Sequence, residues 1–507
     1  MRRFLKNNIL EIFKTVYEAH EIAKDYIDIK EFDNARNLYA ECQVAAMEVG
    51  NLIEESEGDG LVTIGLLEEY CEALFEVTQN IPKECVGYEI KELLDKKLQI
   101  VENSVEKDIR VKLEIVFMPY KASMWDSLES IWEVAAEDDD CEAYVVPIPY
   151  YDRNSNGTTA EYHYEGGEYP DYVPIVHYEK YNLKQRRPDI IYIHNPYDNY
   201  NYVTSVDPRF YSSELKKYTD CLVYVPYFLF PKLATSNLIN TPALFNVDYI
   251  FVQNEKVREA YINEIKNYPH LSNGFENKIF AIGTPKTDKV FNICKKGIEI
   301  PEHWKRQSLN KKKLFLNTNI SLILHNNELF IENMSRIFAI LNQRKDVFVI
   351  WREHPLTNET LKAMKPEMLD EYEKLKFSFL ESGLGVLDTN VEPYKAICFS
   401  DCYFGAGGSL APIYAATGKP MLLTAYNYPD NISNKEVPLS FLTKQAEVSL
   451  YFSERYINFL ELFLDNLEKL MEYKNKRFQF LSDITLNING TVGKRIMATI
   501  KEKLEAK

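Results

Sequence analysis

Residues 314–425 contain the runs LFLNTN (314–319), VFVIWR (347–352), GVLDT (385–389), DCYFGA (401–406) and PMLLTA (420–425). Each run is short, apolar and bounded by polar or turn-forming residues, as a buried strand requires. Between them the apolar residues follow three- and four-residue spacing, which predicts helices over 325–343, 358–379, 393–399 and 409–416. Strands alternating with helices give a parallel sheet with right-handed crossovers. Ligands of such sheets sit at the carboxyl ends of the strands, so the residues just after each run are the candidates for function.

Working back toward the N-terminus, the same alternation is looser but recognisable. KLEIVFMPYK opens a second α/β unit, followed by a helix over 125–136 and apolar runs at 143–148, 190–194, 221–227, 249–253 and 279–283. Before it, Ile9, Phe13, Val16, Ala23 and Ile27 lie on one helical face. Three further amphipathic stretches follow, so residues 1–106 read as four helices, with His20 on the first apolar stripe as a core histidine. The expected organisation is a helical N-terminal domain (1–106), a Rossmann-like α/β domain (110–290), a second Rossmann-like α/β domain (311–475) and C-terminal helices (476–507). The two α/β domains are expected to face each other across a cleft.

Composition narrows the functional classes. The chain has 507 residues and a net charge of −17, which repels nucleic acid and makes it an improbable partner. Eight scattered cysteines show neither zinc-ribbon nor C-x-x-C spacing, which fits a reducing cytoplasm and predicts no metal; Cys398 and Cys402 read as small buried hydrophobes. The basic N-terminus lacks the apolar core of a signal peptide, and LVYVPYFLFP (222–231) is too short to span a bilayer. The final stretch 493–507 carries five basic and two acidic residues, with Ile496, Ile500 and Leu504 on one face. Two roles are open to it, an anionic membrane surface or packing back across the cleft, and the second is preferred.

Three segments carry candidate chemistry. In WREHP (351–355), Arg352 and His354 follow a strand directly; a guanidinium can fork onto phosphate oxygens, and an imidazole can donate once more. In the stretch from Asp401 through Gly405, Gly407, Gly408 and Ser409, a strand runs through glycines into a helix, an arrangement that aims backbone N–H groups at an anion. A plain tight turn with a serine N-cap would account for the same residues. The third, Gly283-Thr284-Pro285-Lys286-Thr287-Asp288, closes the first α/β domain, where Lys286 could reach a phosphate or the segment could serve only as a hinge. His163 and His177 fall in a tyrosine-rich segment that, with Gly166-Gly167, reads as a hairpin or loop insertion.

GTPKTD (283–288), WREHPL (351–356) and SDCYFGAGGSLAPIYAATGKPML (400–422), in this order and at these separations, resemble the CDP-glycerol glycerophosphotransferases that build teichoic-acid and related capsule polymers. The resemblance covers roughly residues 110–470. It implies a GT-B fold and transfer of glycerol phosphate from CDP-glycerol to a growing polymer, with the activated donor as substrate and no separate cofactor. It also implies that His354 stabilises the donor pyrophosphate, that Ser409 and its glycines hold phosphate, and that Gly283, Pro285 and Asp288 match the family's G-x-P-x-x-D element.

The family's first-domain His-Gly-Thr-Pro-Leu-Lys segment has no counterpart, since LVYVPYFLFPKLATSN (222–237) contains no histidine, and the phosphate loop reads Gly-Ala-Gly-Gly-Ser where the family has Asp-Tyr-Ser-Ser. Two roles are open to His194, just after a first-domain strand: a replacement general base, with Asp198 or Asp126 orienting it or serving instead, or hydrogen bonding within its own loop alone. Three functions follow: a CDP-polyol phosphotransferase with a polymer or glycan acceptor, a GT-B glycosyltransferase using a nucleotide sugar, or a non-catalytic nucleotide- or polymer-binding assembly protein. The expected location is the cytoplasm, with peripheral contact at the inner face of the membrane as the variant.

Overall fold

The computed structural model describes residues 1–81, 86–154, 157–201, 203–230, 236–268, 274–320, 323–324, 328–354, 357–390, 392–406, 408, 410–424 and 455–506. The chain opens with helices Arg3–Asp28, Phe32–Glu57, Val62–Asn80 and Gly87–Asp108. Their apolar stripes meet in one core that includes Ile9, Phe13, Tyr39, Leu74 and Leu98. His20 sits fully inside it, with Nδ1 2.7 Å from Asp95 Oδ1 and Nε2 2.7 Å from the Tyr70 hydroxyl. The expected structural role fits these contacts, because a buried imidazole needs a partner at each nitrogen.

The strands are β1 (Leu113–Phe117), β2 (Cys141–Val145), β3 (Tyr150–Arg153), β4 (Thr159–His163), β5 (Ile190–Ile193), β6 (Thr204–Val206), β7 (Cys221–Tyr224), β8 (Tyr249–Val252), β9 (Ile279–Ala281), β10 (Lys312–Asn317), β11 (Val347–Arg352), β12 (Gly385–Leu387), β13 (Cys402–Ala406) and β14 (Met421–Thr424). The first domain holds a parallel sheet in the order β2-β1-β5-β7-β8-β9, and the second a parallel sheet in the order β12-β11-β10-β13-β14. Both are doubly wound α/β sheets, the two-Rossmann-domain arrangement expected from the alternation. Strands such as β11, buried along its whole length, are near-continuous Val/Ile/Phe runs because helices cover both faces of the sheet.

The sequence order of the strands hides where each sheet reverses direction. In the first sheet the chain steps from β1 out to β2 and returns to the other side of β1 as β5. In the second it steps outward through β11 and β12, then returns beside β10 as β13. In doubly wound sheets such a reversal is where a crevice forms, beyond the carboxyl ends of the two strands that flank it.

Two expectations are corrected. The helix foreseen over 358–379 is two helices, Thr357–Met364 and Pro366–Glu381. Pro366 starts the second, since it has no N–H to continue the first. Of the two readings of the Gly166-Gly167 segment, hairpin or loop insertion, the hairpin is corrected and the loop holds; the hairpin lies upstream, where β3 pairs antiparallel with β4 and also with β6.

The last helix, Val492–Glu505, returns to the first domain. Ile496, Met497, Ile500 and Leu504 are buried there in a core that contains Phe117, Trp125 and Tyr192. Its apolar face is therefore covered by protein, which corrects the idea that this face meets a membrane and favours the packed-back alternative. Among the described residues no helix is long and apolar enough to cross a membrane.

Candidate functional site

The second-domain crevice lies between the ends of β10 and β13. Register places Asn317, the last residue of β10, opposite Arg352 on one neighbour and Gly405 on the other. Arg352 and Gly405 are thus two strands apart, roughly 10 Å, with Asn317 between them. β10, which precedes both elements in the chain, stands between them in the sheet.

Each polar group in this row is oriented by another. Arg352 is buried, and its Nη1 donates to Asp388 Oδ2 (2.7 Å) and to the Asn390 carbonyl (2.9 Å). Asp388 Oδ1 in turn accepts from the Asn390 backbone N–H (3.2 Å) and side-chain amide (2.6 Å). Asn317 Nδ2 donates to the Arg352 carbonyl (3.2 Å), while its Oδ1 accepts from the Tyr403 hydroxyl (3.1 Å). Thr318 Oγ1 accepts from Trp351 Nε1 (3.1 Å). A row braced this way holds its donors in fixed directions, which lowers the entropy cost of binding an anion.

His354 lies two residues beyond the end of β11 and is half-buried. Burial first, and the Arg352 cation second, lower its pKa below the usual histidine value. At neutral pH the ring is therefore neutral, with one N–H to donate and one lone pair to accept. Glu353, between them in sequence, is taken up elsewhere: its carboxylate accepts from the Tyr372 hydroxyl (2.6 Å) and Lys376 Nζ (3.1 Å).

Gly405 has φ +150°, and a Cβ there would lie 2.1 Å from the Asn317 carbonyl oxygen. Only glycine lets β13 approach β10 this closely at the crevice. Gly408 is placed just beyond it, whereas Gly407, Ser409 and Pro355 lie outside the described residues. The helix that follows, Leu410–Ala415, has only six residues, so its aligned peptide dipoles are few. Asp401 does not belong to the crevice. It precedes β13, at the amino end of the sheet, where its carboxylate accepts from the Lys313 N–H (2.8 Å) and Nζ (2.9 Å).

The 283–288 segment is a structural junction. Gly283 (φ +123°) leaves room for the Leu486 carbonyl, which would be 2.4 Å from a Cβ. The Thr284 carbonyl accepts from Thr287, and Pro285 starts the helix Pro285–Lys296. Lys286, expected to reach a phosphate, is buried and donates to Asp126 Oδ1, while the Tyr394 hydroxyl of the second domain donates to Asp126 Oδ2. Asp288 Oδ2 accepts from Ser130 Oγ (3.0 Å) and from the Gly493 N–H (2.8 Å), so it fastens the last helix. Burial raises the pKa of Asp288. Next to it Lys289 meets Glu129 and Glu392; burial works against its charge, but the two carboxylates outweigh burial and raise its pKa.

The first-domain crevice holds His194, and its environment does not fit the expected general base. The ring is fully buried. Its Nε2 accepts from the Tyr120 N–H (3.1 Å), and its Nδ1 lies 3.0 Å from Ser127 Oγ, which donates to the Met124 carbonyl (2.7 Å). Nδ1 is therefore the protonated nitrogen, and the lone pair a base would need is already bonded. Burial, and then the Lys286 cation, push its pKa down to about 3. Asp198 is also buried and receives the Ser212 N–H (2.9 Å) and hydroxyl (2.8 Å) rather than orienting His194. Burial lifts Asp198 to about 6. His163 pairs with Asp152 (2.9 Å) and stacks on Tyr150, with Glu161 nearby on the same hairpin.

Sequence reading missed Asn317, Thr318, Asp388 and Tyr394. A signal existed for the first two, polar residues ending the first strand of a doubly wound sheet. Asp388 carried the same signal at the end of GVLDT (385–389), whereas none marked Tyr394, whose importance comes from a partner 268 residues away.

No family model and no curated protein matches the chain. Among solved structures it is similar to the Staphylococcus aureus MnaA–UDP complex (13% identity, TM-score 0.48, covering 78% of this chain and 97% of that one). It is also similar to Neisseria meningitidis UDP-GlcNAc 2-epimerase bound to UDP-GlcNAc (12%, 0.46, 77% and 100%). A third is the wall teichoic acid polymerase TagF, H548A variant (12%, 0.43, 86% and 98%).

Proposed function

We propose that this chain is a transferase that binds a nucleotide-activated donor in the second-domain crevice and passes a polyol phosphate, glycerol phosphate first among them, to a hydroxyl of a cell-surface polymer. The supporting observation is the braced row of Asn317, Arg352 and Gly405 at the reversal of the second sheet, with neutral His354 at its rim. Arg352 supplies fixed positive charge for a diphosphate, and His354 supplies a hydrogen bond to the phosphoryl group whose charge grows as the nucleotide leaves. Donors already aimed at developing charge need no reorganisation during the reaction. On this reading the protein works in the cytoplasm, on a donor that is a substrate and not a resident cofactor.

Calorimetry with CDP-glycerol, CDP-ribitol, UDP-sugars and CMP tests the proposal. The expected result is CDP-polyol binding that weakens at least tenfold in His354→Ala. Preference for a UDP-sugar would replace the donor class with that of a glycosyltransferase using the same crevice. A second reading, a non-catalytic nucleotide- or polymer-binding assembly protein, is favoured by one observation: His194 has no lone pair to spare. Donor binding without transfer to any polymer acceptor is the outcome that reading expects.

A further inference from the structure

Two cysteines from distant parts of the sequence meet at the junction between the α/β domains. Cys294 is exposed near the end of the helix Pro285–Lys296, and Cys398 is half-buried on the helix Tyr394–Phe399. Their sulfurs are 3.9 Å apart, in van der Waals contact. We propose that Cys294 and Cys398 form a redox-active dithiol that closes to an intramolecular disulfide, with a low-molecular-weight disulfide as oxidant, and thereby staples the junction helix to the second domain.

The surroundings favour this chemistry. Lys419 Nζ is fixed beside the pair by the carbonyls of Ile397 (2.9 Å), Cys398 (2.8 Å) and Ser400 (2.6 Å). A hydrogen bond from the Cys398 thiol, then the Lys419 and Lys474 cations acting against burial, lower Cys294 to about 7. Cys294 is therefore the attacking thiolate, and its exposure gives the oxidant access; a thiol titrating near ambient pH is well matched to exchange. By contrast Cys42, Cys221 and Cys402 are buried.

The exchange balances in two steps. Cys294 thiolate attacks one sulfur of the small disulfide, whose S–S bond breaks and releases one thiolate. Cys398 then loses its proton to solvent and attacks the Cys294 sulfur, forming the Cys294–Cys398 bond and releasing the second thiolate. The protein loses two protons and two electrons, and the oxidant takes up both to become two thiols.

The consequence follows from what the two helices carry. The first bears Lys286 and Lys289, which grip Asp126 and Glu129 of the first domain, and the second bears Tyr394, which reaches Asp126. A covalent link between them fixes the junction on which both domains rest.

The test incubates the full chain with glutathione disulfide at neutral pH, blocks remaining thiols and maps unreduced peptides by mass spectrometry. A cross-linked peptide joining Cys294 to Cys398 is expected. Cys398→Ser should instead trap glutathione on Cys294, and Cys294→Ser should leave Cys398 unmodified. Hydrogen exchange within 285–296 should slow on oxidation and recover with dithiothreitol. Persistent glutathione on Cys294 of the wild-type chain, or two free thiols after oxidation, would overturn the dithiol; unchanged exchange in the linked form would overturn the staple.

Discussion

The two α/β domains carry the same kind of crevice and fill it differently. In the first, Tyr120 packs against Tyr150, His194 and Tyr227 at ring separations of 5.4, 5.6 and 6.4 Å. In the second, the equivalent strand ends carry Asn317, Thr318, Gly405 and Gly408, small or polar residues braced by Arg352 and Tyr403. The fold supplies a crevice in both; the residues after the strands decide whether it becomes core or a place for a ligand. The first is packed as core, so its histidine is a packing element.

The sharpest way to break this contrast is Gly405→Ala. A Cβ 2.1 Å from a strand carbonyl forces β13 away from β10. We expect a loss of about 3 kcal/mol or more, visible in urea unfolding, together with loss of donor binding. If the variant kept full stability, the close approach would not be what shapes the second crevice.

Comparable in stability loss, but without loss of the donor crevice, is Asp126→Ala, which leaves the buried Lys286 ammonium and the Tyr394 hydroxyl without their shared acceptor. Removing one partner of a buried ion pair costs about 3–5 kcal/mol. The effect should appear as a lower thermal midpoint, and a neutral outcome would mean that the junction is not held by this group.

The pH dependence of stability tests the filled crevice. His194 titrates near 6.5 when unfolded and at about 3 when folded. Between those values the unfolded chain takes up the extra proton, so this group's contribution is complete above pH 6.5 and is lost as pH falls, at about 1.4 kcal/mol per unit. Denaturant stability of wild type against His194→Gln from pH 7 to pH 5 should show the wild type losing more by that slope. Parallel profiles would show that His194 is not buried neutral, and would return it to candidacy as a base.

The smallest structural effect is expected at His354, on the rim of the second crevice. His354→Gln should shift stability by no more than about 0.5 kcal/mol, as for other substitutions outside the core. Donor affinity, measured by calorimetry, should nonetheless fall about tenfold. A large loss of stability would make His354 a structural residue like His194, and the contrast between the crevices would fail.

Much of the fold was legible because burial leaves a periodic trace. VFVIWR forms β11 at the bounds its apolar run predicts, and Ile9, Phe13, Val16, Ala23 and Ile27 lie on the buried face of the first helix. Of the candidate site, Arg352, His354 and Gly405 gather at one crevice, because residues just after parallel strands share one edge of the sheet. Lys286, Asp288 and Asp401 were equally good by type and position in sequence. Contacts with Asp126, Ser130 and Lys313 instead make them structural, and those partners lie 160, 158 and 88 residues away.

The sequence by itself determined the layers: four amphipathic helices, then two runs of alternating strand and helix. Local periodicity is enough for that, since each element must hide its own apolar face. Only the tertiary structure decided that β10 stands between Arg352 and Gly405, and that the first crevice is packed with tyrosine around a neutral His194. Strand order and side-chain partnership are set by contacts across the chain, and no local pattern encodes which distant group will take a residue's hydrogen bonds.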